Sequence, residues 1–110
     1  MDISDLASSE QEGLRRIIAY AIARWDWESP TLFGIEKLQA EVVLREWPAS
    51  LQRSPAKAAA AIWGPLGFFI HGGGMRDHEC LAQFGLSQKD CAALLNKIRE
   101  RVDVALQQAE

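Results

Sequence analysis

Leu14-Arg15-Arg16-Ile17-Ile18-Ala19-Tyr20-Ala21-Ile22-Ala23-Arg24-Trp25 carries the most regular apolar pattern in the N-terminal half of the chain. Leu14, Ile17, Ile18, Ala21, Ile22 and Trp25 recur at i, i+3, i+4, i+7, i+8 and i+11. That spacing lines one face of a 3.6-residue helix and fits no strand. Upstream, Ser9 with Glu12 three residues later has the spacing of a capping box, so the helix is expected to open there after a frayed lead at 1–8. Gly13 in the first turn costs about 1 kcal/mol relative to alanine, which a buried face absorbs. Downstream the helix is expected to run out near Trp27, because Ser29-Pro30 is a cap followed by the one helical position where proline is welcome.

The remaining chain repeats this grammar. Residues 29–34 predict a helical turn or tight loop, and a second helix is expected over about Ile35–Trp47, ending before Pro48. Its wheel puts Ile35, Leu38 and Val42 on one side and Ala40, Val43, Leu44 and Trp47 on another. Only Lys37, Glu41 and Arg45 are left as a solvated stripe, which predicts the central, most buried helix. Ser54-Pro55 starts an alanine-rich helix through Trp63, which Gly64-Pro65 ends or kinks. The apolar run Leu66–Ile70 is compatible with a helical turn, an extended connector or a short strand; the first two are favoured, since no second strand candidate exists to pair with it. Gly72–Gly74 is a break. A short helix over Met75–Phe84 closes on Gly85, and Ser87 with Asp90 caps a long final helix. The fold expected is all-α, a compact bundle of about five helices in a single domain over residues 1–110.

At 110 residues, 48% hydrophobic and 25% charged, the chain can bury a core without disulfide or metal staples. Cys80 and Cys91 stand in no paired motif and read as buried free thiols. No run approaches the roughly 18 apolar residues of a membrane span, and the acidic start is unlike a signal peptide, so a cytoplasmic setting and no membrane partner are expected. The net charge of −3 is uneven. Residues 1–50 hold nine acids and five bases (net −4), and residues 51–110 hold six and seven (net +1). Nonspecific nucleic-acid binding needs clustered cations and is disfavoured.

Three motifs promise chemistry. Phe68-Phe69-Ile70-His71-Gly72-Gly73-Gly74 resembles the oxyanion-hole segment of lipases and esterases of the α/β-hydrolase family, which implies glycine amides holding a developing negative charge. That family also needs a serine on a G-x-S-x-G turn and several parallel strands. Neither appears, and the segment then reads as a glycine hinge with His71 at its edge. His71, His78, Glu79, Cys80 and Cys91 meet none of the recurrent zinc spacings, so no metal and no cofactor is expected. Residues 85–95 resemble the opening of a helix-turn-helix, but Asn96–Leu106 continues the same register with no break for a recognition helix. No catalytic set is visible, and the chain is not expected to be an enzyme.

A second stripe on the first helix, rotated off its apolar face, holds Arg16, Tyr20, Ala23, Arg24 and Trp27, with Asp26 and Glu28 as an acidic rim. Tyr, Trp and Arg are the residues that most often carry interface energy. Arg16, Tyr20, Arg24, Asp26, Trp27 and Glu28 are therefore the candidate partner-binding residues, although Tyr20 and Trp27 could instead pack on Leu66–Ile70 or the last helix. The function expected is a non-catalytic protein-binding module, such as a small bacterial-type inhibitor or immunity protein that masks a basic toxin or nuclease-like surface. A regulatory nucleic-acid-binding protein and a structural or assembly protein, including a homo-oligomer, are the alternatives.

Overall fold

A computed structural model describes residues 1–108, and among them there is no strand. Seven helices follow one another: α1 (Ser8–Ala23), α2 (Ser29–Phe33), α3 (Lys37–Arg45), α4 (Ser50–Arg53), α5 (Pro55–Gly67), α6 (Asp77–Phe84) and α7 (Gln88–Gln107). A π-helical turn, Phe68–Gly72, extends α5 directly. Only α1, α3, α5, α6 and α7 exceed two turns, in keeping with the five helices that periodicity predicts. No helix among the described residues is long and apolar enough to cross a membrane.

Helix α1 starts earlier than Ser9 and Glu12 suggest. Ala7 is the residue before the first turn, and its N–H donates to the Glu10 carboxylate at 2.9 Å. Glu12 instead lies beneath Arg15 and Arg16. Leu14, Ile17, Ile18 and Ala21 are buried as the pattern demands. The helix stops at Ala23, and Trp25 reaches the core from the following loop, edge-on to Phe33. The lead is docked, not frayed. Ile3 and Leu6 are buried, Gln11 Nε2 donates to both of their carbonyls, and Arg101 forms a two-pronged pair with Asp5 at 2.8 and 2.7 Å. Two apolar residues three apart are too few to register as a period, yet they suffice once α7 supplies a cation.

The centre of the bundle is α5, not the second predicted helix. It packs against α1, α2, α3, α4 and α7, and Ala58, Ala59, Ala61, Ile62, Pro65 and Leu66 are all buried. Small side chains let neighbouring helices approach it from several sides, which explains why an alanine run can be central. Helix α3 buries Ala40 and Val43, but Leu38 is 76% exposed and Val42 also faces solvent. Its wheel has two apolar sides and only one of them meets a neighbour. Gly64-Pro65 does not end α5, which continues through Gly67 with Pro65 buried inside it; Gly64 lies where α2 crosses, and a Cβ there would stand 2.9 Å from Phe33 Cα. Leu66–Ile70 is helical throughout, as the turn option required.

In the C-terminal half, Gly85 takes the left-handed conformation that ends α6 (φ 73°), and Ser87 Oγ accepts from Asp90 N–H at 3.0 Å to open α7. Helix α7 runs unbroken from Gln88 to Gln107. The α6–α7 corner fixes α1 as well, since a Cβ on Gly13 would meet Leu86 Cδ1 at 2.5 Å.

Candidate functional site

The six residues singled out along α1 and its following loop separate into two groups. Tyr20 is half-buried, its ring edge-on to Phe69 at 5.1 Å and to Phe84 at 5.4 Å between centroids. The Arg24 guanidinium lies over the outer face of that ring, 3.6 Å from its centroid. Arg16 is exposed and its Nε donates to Glu12 at 3.2 Å. Tyr20 thus packs on the π-turn, which was one of the two options for it, while Arg16 and Arg24 stay at the surface.

The loop at 24–28 is built around Asp26. Its Oδ1 accepts from Glu28 N–H at 2.9 Å, from Ser29 N–H at 3.1 Å and from the Ser29 hydroxyl at 3.2 Å. Ser29 Oγ in turn accepts from Asp26 N–H at 3.0 Å, and Ser29 is buried. Such an Asx-type turn satisfies the amides at the entry to α2. Asp26 thus spends Oδ1 on its own loop while the residue stays exposed, and it flanks Trp27 together with the exposed Glu28. Trp27 projects from this turn at 86% exposure.

Two further apolar side chains that periodicity did not single out are exposed, and they lie together. Leu32, on α2, is 54% exposed, and Phe68, the first residue of the π-turn, is 40% exposed. They stand on the shared edge of two depressions. A cleft of about 140 Å³ on one side is lined by Ala21, Arg24, Asp26, Phe33 and Phe69. A groove of about 460 Å³ on the other side runs between α5, the π-turn and α7, over Trp63, Gly64, Gly67, His71, Leu95 and Arg99. The Arg99 guanidinium sits 5.6 Å from the Trp63 ring centroid at its margin. Leu32 was hidden in a five-residue helix too short for a pattern. Phe68 was hidden within a continuous apolar run: it continues the outer side of α5 after Ala60, Gly64 and Gly67, whereas Phe69 follows Ala58, Ile62 and Pro65 on the buried side.

The remaining motif residues have other tasks. Gly73 N–H is hydrogen-bonded to the Phe68 carbonyl and Gly74 has φ 68°, so the glycines close the π-turn. The all-helical architecture also lacks the parallel sheet that an α/β-hydrolase would require. Cys80 and Cys91 are buried beside one another, and desolvation pushes both thiols up, Cys91 to about 12. Among the described residues no three His, Cys, Asp or Glu side chains converge. No protein-family model, curated protein or solved structure matches this chain.

Proposed function

We propose that this protein is a non-catalytic protein-binding domain that recognises its partner through the surface formed by Trp27, Leu32 and Phe68. The observation that carries this reading is the exposure of three large apolar side chains: Trp27, at 86% in the turn that leads into α2, Leu32, at 54% on α2, and Phe68, which shares with Leu32 the edge of both depressions. Exposed aromatic and aliphatic groups held rigidly beside a depression are what a partner can bury at little cost in ordering entropy. Arg24, stacked on Tyr20, adds a polar contact at the cleft. An inhibitor or immunity-type role, masking the surface of a toxin or enzyme, suits a domain that offers such a patch without a catalytic set. The net charge of −3 would steer a basic protein at long range, while the contact surface itself holds both signs.

The immobilised 110-residue chain, challenged with native lysate, tests this reading when the retained protein is purified and titrated by calorimetry. Binding with defined stoichiometry, weakened about tenfold or more by Trp27→Ala or Leu32→Ala, is the expected result. Equal affinity in both variants, or no stoichiometric binder, overturns it. A mobility shift of nucleic acid at moderate salt, or a defined oligomer of the pure protein by light scattering, would favour the two alternatives instead.

A further inference from the structure

The groove between α5, the π-turn and α7 is lined on its apolar walls by Leu32, Trp63, Phe68 and Leu95, and no carboxylate lines it. Its charged member is Arg99, and His71 faces it from the π-turn. Among the described residues Arg99 has no carboxylate within ion-pair distance; its neighbours are the Trp63 ring and the Asn96 side chain. The floor is Gly67. Its backbone is helical (φ −61°, ψ −43°), so no conformational need requires glycine there. Nor does packing require it: a Cβ at Gly67 would meet nothing within 4 Å, whereas at Gly64, one turn earlier, it would strike Phe33. Glycine in a helix interior, without an internal reason, exposes bare backbone for something else to approach.

We infer that this groove seats a segment of the protein partner in which a bulky apolar side chain sits over Gly67 while an adjacent aspartate or glutamate pairs with Arg99. The inference rests on the protein-binding reading above and adds where the partner inserts and what chemistry it carries. An apolar side chain over Gly67 would be flanked by Phe68 and Trp63. A carboxylate beside it would complete a cation that is exposed in the free protein and stands 5.6 Å from the Trp63 ring centroid; the partner's apolar side chain would then desolvate the pair and strengthen the charge-assisted bond. Without the acid, the partner would leave Arg99 desolvated and unpaired, which makes the charge a specificity element.

A random linear-peptide display library, panned on the full chain, is the probe. The expected outcome is enrichment of peptides with a large apolar residue next to Asp or Glu. Their affinity should fall about tenfold or more in Gly67→Leu and in Arg99→Gln, and largely return in Arg99→Lys. Circular dichroism melts of these variants report the fold independently, and Gly67→Leu fills open space on a helical backbone. Enrichment of peptides without acidic residues overturns the inference, as does indifference of the selected peptides to both Gly67→Leu and Arg99→Gln. If those indifferent peptides still lose affinity in Trp27→Ala, the groove assignment falls while the protein-binding reading stands. If no peptide is enriched the groove assignment falls too, and the calorimetric test with Trp27→Ala and Leu32→Ala decides the broader reading separately.

Discussion

The Arg24 guanidinium lies 3.6 Å from the centroid of the Tyr20 ring, while the edges of that ring meet Phe69 and Phe84. Tyr20 therefore links α1 to the π-turn and α6, and Arg24 covers its outer face. Trp27, only a few residues on, has no such attachments. Tyr20 and Trp27 should therefore respond to truncation very differently. Tyr20→Ala should lower stability by about 2–4 kcal/mol, as loss of a packed aromatic does. Trp27→Ala should change it by less than about 0.5 kcal/mol. Urea unfolding of the two variants checks this, and a Trp27→Ala loss as large as that of Tyr20→Ala would refute the division of roles.

Gly13, Gly64 and Gly67 all stand in helices, and propensity alone gives each the same gain of about 0.5–1 kcal/mol on replacement by alanine. Their surroundings break the tie. At Gly67 the space is open, so Gly67→Ala should raise stability by roughly that amount. At Gly64 the new methyl would press on the Phe33 backbone, and at Gly13 on Leu86. Both substitutions should destabilise by about 1–3 kcal/mol, with Gly64→Ala the worse, because a backbone cannot swing aside as the tip of a leucine can. Thermal melts that rank Gly64→Ala at or above the parent protein would contradict the packing of α2 on α5.

The contrast among these glycines also shows how far sequence reasoning reaches. Helices α1 and α7 were legible because each presents a single apolar stripe over several turns. Helix α3 was misread as central because Leu38 and Val42 make a second apolar side, and nothing local says that no neighbour will cover it. The centrality of α5 was illegible for the converse reason, since its alanines look neutral until close approach makes small size an advantage. At the surface, Trp27 could be picked out by residue type, yet Leu32, Phe68 and Arg99 come together only through the crossing of α2, α5 and α7. The second task of Asp26, holding the amides of Glu28 and Ser29 and the Ser29 hydroxyl, is a matter of turn geometry that residue type alone does not reveal.

Ser50 is a buried hydroxyl whose Oγ donates to the Val43 carbonyl at 2.7 Å, tying α4 to α3. Removing it strands a carbonyl near the end of α3, where the helix itself supplies no partner. Ser50→Ala should cost about 1–2 kcal/mol. Ser50→Thr keeps the hydroxyl but adds a methyl in a filled site, so it should not restore full stability. Hydrogen exchange offers a local check: amides of α3 and α4 should lose protection in Ser50→Ala while those of α7 keep theirs. Uniform loss across the molecule would mean that the bond is not a local tie.

Four carboxylates near the start of the chain, Asp2, Asp5, Glu10 and Glu12, are all held below the ordinary carboxylate range by hydrogen bonds. Glu12, beneath Arg15 and Arg16, reaches about 2 against an ordinary value of 4.5. A depressed carboxylate contributes stability that is fully present above its unfolded value and lost as pH falls through its folded value. For Glu12 that window runs from 4.5 down to about 2. Its exposure means that solvent screens the pairs and the contribution is small, of the order found for surface ion pairs. Asp5 and Glu10 act on the docking of the lead and α1 to α7, through Arg101 and Lys97. Acidification should therefore loosen the N-terminal lead before the core, read as early loss of amide protection around Ile3 and Leu6, and high salt should bring this onset to higher pH. Glu12→Gln should flatten the acid limb of the stability curve only slightly, and Arg101→Gln should lower protection of the lead near neutral pH without releasing it, since Ile3, Leu6 and the Gln11 hydrogen bonds still hold it. Simultaneous loss of protection in the lead and in α5 would show instead that the molecule has no weaker N-terminal unit.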